Sequence, residues 1–138
     1  MKARIEAERI PMGEDPDFHL KLGRGSLSDI EFTAQMLQLQ FDVKATGTLG
    51  ALNALAASDV LSLEDAATLA EAYEFCEMVR NRWFLVNSAP SDSLPMQPEP
   101  LLWLSRALET SSGELREHYR RVTRRSRKVV ERVFYGLG

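Results

Sequence analysis

The sequence predicts an all-α protein, an antiparallel bundle of about five or six helices. Three observations carry that expectation. Apolar residues recur every three to four positions through most of the 138 residues. Serine caps and proline clusters fall between these periodic runs. No stretch alternates polar and apolar residues as a half-buried strand would. The length is that of one domain with a core of its own, and a composition of 44% hydrophobic and 27% charged residues is that of a globular chain rather than a disordered one.

In chain order, residues 2–10 have helical composition, and Pro11, Gly13 and Pro16 end that pattern, so Met12–Phe18 reads as a loop. A short charged helix in this position looks like the tail of something upstream. The expected division is a lead-in over 1–20 and a bundle over 21–138, a fragment following another domain. Gly23 and Gly25 then mark a tight turn over Leu22–Ser26. A helix follows, capped either by Ser26 with Asp29 or by Ser28 with Glu31. At about 100° per residue, Leu27, Ile30, Ala34, Leu37 and Phe41 fall on one face and Phe32, Met36 and Leu39 on nearly the opposite one. Such a helix is expected to sit between two neighbours with its carboxylates in the seams.

Asp42–Gly47 reads as a connection and Thr48–Ala57 as a short helix with Leu49, Leu52 and Leu55 inward, where Gly50 is expected to allow close helix approach. Ser62 caps the longest helix, over about Leu63–Val86, with Leu69, Tyr73, Cys76 and Trp83 along one side. Its Arg80 and Arg82 have no explanation in the pattern. Four prolines across Ala89–Pro100 predict a loop, and Pro100 is expected to start a short helix carrying Leu101, Leu102, Leu104 and Leu108. Ser111 caps the last helix, Leu115–Phe134, with a seam of Leu115, Tyr119, Val122, Ser126, Val129 and Val133.

Several chemistries lack support. Cys76 is the only cysteine and has no disulfide partner; a buried inert thiol is expected. His19 and His118 have no ligand-spaced companion and read as surface or packing residues. No HExxH helix, nucleophile–base pair or phosphate loop is present, since Gly23-Arg24-Gly25-Ser26 lacks the spacing and the Lys-Ser/Thr ending. No apolar run nears the roughly 18 residues of a membrane span, and the charged N-terminus is unlike a signal peptide. The cytoplasm is the expected location.

The stretch Lys21–Gln40 carries a resemblance. Gly23-Arg24-Gly25-Ser26-Leu27-Ser28-Asp29-Ile30-Glu31-Phe32, with Lys21 before it and Gln35 after it, resembles the glycine-glycine-x-x-aspartate-isoleucine-glutamate-phenylalanine signature of bacterial glutamine synthetase adenylyltransferases, whose helical domain type is shared by PII uridylyltransferases. Ser26 stands where that family usually has its second glycine. The similarity continues through Thr48–Ala57 and Tyr119–Gly136. It implies the C-terminal helical domain of an enzyme that transfers AMP from ATP to a tyrosine of glutamine synthetase, with removal of that AMP as a further candidate activity, regulating nitrogen assimilation. The family keeps its magnesium-binding carboxylates in a preceding α/β nucleotidyltransferase domain. ATP and magnesium are thus implied for the full-length enzyme and no cofactor for this chain, which is expected to be inactive alone. The implied partners are the nucleotidyltransferase domain of the same polypeptide, glutamine synthetase and, as a further candidate, the PII signalling protein, with neither nucleic acid nor membrane.

On the residues alone, Lys21, Arg24, Asp29 and Glu31 read as a solvated turn followed by capping and interhelix carboxylates. With the resemblance, they become candidates for facing a nucleotide or the domain junction. Lys21, Arg24 and the first N–H groups of the helix would meet phosphates, while Asp29 or Glu31 would orient a base, a ribose or a catalytic-domain residue.

Charge is uneven. Residues 116–132 hold eight basic and two acidic side chains, a net of +6, in a chain whose overall net is −3. The cations flank the apolar seam, with Arg121, Arg125, Lys128 and Arg132 on one side and Arg116, Arg120, Arg124 and Arg127 on the other. Pairing with Glu71, Glu74 and Glu77 of the long helix is one reading. The candidate partner-binding set is Arg121, Arg125, Lys128 and Arg132. The rival to the enzyme-domain reading is a free-standing helical interaction module that binds an acidic protein through helix 115–134.

Overall fold

A computed structural model describes residues 18–87, 93–95 and 97–136. Among these residues there are five helices, α1 (Leu27–Phe41), α2 (Thr48–Ala57), α3 (Leu63–Asn87), α4 (Pro98–Ala107) and α5 (Ser112–Val133). The fold is all-α, as predicted. Among the described residues the only β pairing is an isolated antiparallel bridge between His19 and Ser93. The expected helix over 2–10 lies outside the described residues, as do most of the Met12–Phe18 loop and part of the proline-rich stretch.

The 25-residue α3 is the spine, since α1, α2, α4 and α5 all pack on it, and its largest interface is with α5. It can play that part because a buried apolar stripe runs along it from Ala66 to Trp83. Leu69, Ala72, Phe75, Cys76, Val79 and Trp83 are all buried. Ser62 starts it as expected, its hydroxyl accepting the Asp65 N–H at 3.0 Å. The facing side of α5 buries Leu115, Tyr119, Val122, Ser126, Val129 and Val130, close to the predicted seam. Ser111 caps α5 by accepting the Glu114 N–H at 3.1 Å. Arg82 now has an explanation, because its guanidinium donates to the Ala107 carbonyl at 2.7 Å and satisfies the C-terminal end of α4.

Three local expectations are corrected. The first is the two-sided packing of α1. Leu27, Ile30, Ala34 and Leu37 are buried against α2, α3 and α5, but Leu39 on the opposite face is 86% exposed and Phe32 is 39% exposed. Among the described residues the helices packed on α1 are α2, α3 and α5; of the second face only Met36 is partly buried against the core, and Phe41 at the end of the first face is exposed. Second, α4 begins at Pro98 rather than Pro100. Both prolines fit in the first turn, where their missing N–H groups have no intrahelical acceptor to lose. Third, a Cβ built on Gly50 meets nothing within 4 Å, so this glycine permits no close approach.

The glycines that do are Gly23 and Gly25. Gly25 has φ +76°, and a Cβ there would collide with the Thr123 carbonyl of α5; one on Gly23 would strike the His19 carbonyl and lie 2.9 Å from the Tyr119 hydroxyl. The buried core reaches back along the chain to Phe18 and Leu20, and Leu94 joins it through an N–H bond to the Phe18 carbonyl at 2.9 Å. His19 is buried, its Nδ1 accepting the Leu22 N–H at 2.9 Å, and His118 lies against the Phe75 ring with centroids 4.2 Å apart. Partial burial and then the Arg121 charge lower the His118 pKa. Both histidines are packing residues. Burial pushes the Cys76 thiol up to about 12, which leaves almost no thiolate at neutral pH.

The two kinds of glycine should respond oppositely to a methyl group. Gly25→Ala should destabilise the chain by at least ~1–2 kcal/mol from the left-handed backbone alone, and more as the new methyl meets the Thr123 carbonyl. Gly50→Ala, in open space on a helix, should stabilise by about 0.5–1 kcal/mol. Urea unfolding of the two variants measures both, and equal, small effects would contradict this account of the loop.

Candidate functional site

The candidate site is the loop 21–26 and the first turns of α1, and its shape follows from where each backbone group finds a partner. Ser26 N–H donates to the Gly23 carbonyl at 3.1 Å, Leu27 N–H to Leu20 at 3.2 Å and Ser28 N–H to Lys21 at 2.8 Å. These bonds fold the incoming chain over the N-terminus of α1. The first-turn N–H groups expected to meet phosphates are thereby occupied by the protein's own carbonyls, so Leu27 and Ser28 offer nothing to an anion.

Neither capping box expected from the sequence forms in full. Ser26 is the N-cap residue, but its hydroxyl makes no bond to the helix. It is buried and lies 2.9 Å from the Tyr119 hydroxyl, which also donates to the His19 carbonyl at 3.0 Å. The carboxylate reaches past the N-cap residue, whose own N–H is held by Gly23, to the residue before it. Asp29 Oδ2 reaches back to accept the Gly25 N–H at 2.6 Å.

The same oxygen accepts a bond from Arg127 Nη1 of α5 at 2.7 Å. The Asp29 side chain is 1% exposed and that of Arg127 15% exposed, so this is a buried ion pair with a backbone N–H as third member. Charge-assisted bonds of this kind are short and strong. Their strength matters because a buried carboxylate without partners would be very costly. Arg127 is itself held in place, its guanidinium 5.1 Å from the Tyr135 ring centroid and its Nε 4.0 Å from Glu131. Thr33, one turn after Asp29, returns its hydroxyl to the Asp29 carbonyl at 2.7 Å and needs no outside partner.

The four signature candidates therefore separate. Asp29 faces inward, to α5. Arg24 is exposed, and Lys21 and Glu31 are half-buried. Glu31 lies on the α3 side, where burial and then the Glu31 and Glu77 carboxylates raise the Tyr73 phenol, against a hydrogen bond with Thr48.

The four candidates on α5 separate as well. Arg132 chelates Asp65 through Nη1 at 2.9 Å and Nη2 at 3.0 Å, and Arg125 lies 3.5 Å from Glu71. The bidentate bond and the nearby charge raise the Arg132 pKa further. Arg121 and Lys128 are exposed and form no ion pair among the described residues. On the other flank, Arg116 and Arg120 lie 4.6 and 5.0 Å from the Phe18 ring centroid, within cation–π range.

The residues that build the loop from outside, Arg127, Tyr119 and Thr123, are not among the sequence candidates. In the sequence Arg127 is one cation of eight, and Tyr119 one seam residue. Nothing in the helical period distinguishes an arginine that reaches a carboxylate 98 positions away. The hydroxyl of Tyr119 within the predicted seam is the available signal, since a buried polar group needs a partner.

Arg127→Met should lose about 3–5 kcal/mol of stability, because it removes the cation that lies 2.7 Å from a buried carboxylate. Adding Asp29→Asn to that variant should recover part of the loss, since the amide oxygen can still accept the Gly25 N–H without a buried charge. Thermal unfolding of the single and double variants checks both statements. A loss below about 1 kcal/mol for Arg127→Met would place the pair among weak surface ion pairs.

Comparison with known proteins agrees with the family resemblance of the sequence. A family model described as GlnD PII-uridylyltransferase matches residues 1–137. A Streptomyces avermitilis protein named bifunctional glutamine synthetase adenylyltransferase/adenylyl-removing enzyme is 44% identical over 99% of this chain and 14% of its own length. Proteins of the same name from Mycolicibacterium smegmatis and Nocardia farcinica are 42% and 43% identical, over 99% and 97% of this chain, again with 14% of their own length covered. The chain thus spans about a seventh of the curated relatives it matches. With the match running through the signature loop and all five helices, the chain belongs to the GlnD PII-uridylyltransferase family.

Proposed function

We propose that this chain is the helical domain of an enzyme that adenylylates and deadenylylates glutamine synthetase, and that it supports the catalytic domain through the signature loop and the start of α1. The observation that carries the proposal is the division of the signature. Asp29 is consumed in fixing the loop, while Arg24, Lys21 and Glu31 keep solvent-facing surface on that fixed frame. A loop held by a buried ion pair and two hydroxyl bonds presents its charged side chains at defined positions, and such positioning is what a domain junction requires.

The nucleotide chemistry is assigned to the rest of the polypeptide. Among the described residues no three His, Cys, Asp or Glu side chains converge on one point, and in this reading magnesium and ATP are held by the rest of the polypeptide. Arg24 and Lys21 could contact phosphate oxygens held by a neighbouring domain, and Glu31 could accept from a ribose hydroxyl or from a basic residue across the junction. Transfer of AMP to a glutamine synthetase tyrosine would then depend on this chain for alignment. No helix among the described residues is long and apolar enough to cross a membrane.

In the full-length enzyme, Arg24→Ala and Glu31→Ala should each reduce AMP transfer about tenfold or more with little change in melting temperature, as expected when alignment costs ~1.4 kcal/mol of transition-state stabilisation. Asp29→Ala should reduce both activity and stability. The present chain alone should transfer no labelled AMP. Activity losses at Arg24 and Glu31 that merely track lost stability, or transfer by the chain alone, would refute the proposal.

A further inference from the structure

The exposed ridge of α5 is a separate feature, independent of the proposed function. Five of the eight cations have internal partners: Arg127 with Asp29, Arg132 with Asp65, Arg125 with Glu71, and Arg116 and Arg120 with the Phe18 ring. Arg121, Arg124 and Lys128 are exposed and have no ion-pair partner among the described residues. At three- and four-residue spacing they form one row along the helix, and at 1.5 Å per residue the row is about 10 Å long.

Folding gives no reason for this row. Like charges at such spacing destabilise a helix slightly, and Arg120 and Arg125 on either side add to the repulsion. The row is also bounded: Glu117 lies exposed one turn before Arg121, and one turn after Lys128 stand Glu131, 4.0 Å from Arg127, and Arg132, whose charge is taken up by Asp65. A long polyphosphate backbone laid along the helix would meet a carboxylate at each end. A short straight row of carboxylates would not.

We infer that the Arg121–Arg124–Lys128 ridge docks an acidic helix, one that carries glutamate or aspartate at three- and four-residue spacing and lies alongside α5. Two helices side by side place complementary rows in register, and the contact is predominantly electrostatic, because no large apolar side chain lies within the row. Such contacts form quickly and weaken steeply as salt screens them.

The test is a titration of the isotope-labelled chain, followed by amide NMR, with three probes. These are a helical peptide with glutamates in one row, a peptide of the same composition with the row broken by proline, and a single-stranded oligothymidine. The row peptide should shift amides clustered at 121–128, bind at least about fivefold more tightly than the broken one, and weaken about tenfold as salt rises from roughly 20 to 200 mM. Arg121→Ser with Arg124→Ser and Lys128→Ser should abolish the shifts in a chain whose other amide resonances stay in place, whereas Arg132→Gln should change affinity less than about twofold. Equal binding of the two peptides, tighter binding of the oligonucleotide, shifts elsewhere on the surface, or no shifts at low salt would each overturn the inference.

Discussion

Much of this structure depends on one carboxylate oxygen. Asp29 Oδ2 accepts from the Gly25 backbone at 2.6 Å and from Arg127 at 2.7 Å, which joins the loop, α1 and α5 at a single buried point. Other features follow from that contact. The loop must come close enough to α5 for Gly25 to touch the Thr123 carbonyl, so no side chain is possible there and the backbone turns left-handed. The approach in turn buries Ser26 beside the Tyr119 hydroxyl. Because low dielectric strengthens satisfied polar contacts and penalises unsatisfied ones, a network of this kind favours one loop conformation over many.

The signature Asp29-Ile30-Glu31-Phe32 can be read residue by residue around the helix. Asp29 turns to α5, and Ile30 is fully buried in the core. Glu31 lies at the α3 edge, half-buried, and Phe32 is 39% exposed. Consecutive residues about 100° apart must point in different directions, so a four-residue motif cannot all face one ligand. Part of it builds the scaffold that gives the remainder a fixed position.

The fold was legible because local signals agreed. Ser62 and Ser111 cap where expected, the α3 and α5 seams are the buried ones, and the connection at 42–47 separates α1 from α2. Those features depend on neighbours in sequence. The elements that were not legible depend on neighbours in space. The second apolar face of α1 resembled a packing face, yet its exposure is decided by where α2, α3 and α5 gather. Gly50 and Gly25 look alike as letters, and only the path of α5 makes one essential. The candidate loop was visible from its glycines and its resemblance, but the inward role of Asp29 required the position of Arg127. The basic helix was legible as a charge pattern. Which of its cations are neutralised was not, because Asp65, Glu71 and Phe18 reach it from three separate parts of the chain.

The central claim is that the signature loop is a rigid structure clamped to α5 through Asp29. Native-state hydrogen exchange at the Gly25 amide tests it most directly, since that N–H is the donor the carboxylate holds. The account predicts that this loop amide exchanges only in large openings, with protection approaching that of the core amides of α3 and α5. Exchange at the rate of an exposed loop amide, such as that of Thr46 in the α1–α2 connection, would contradict it.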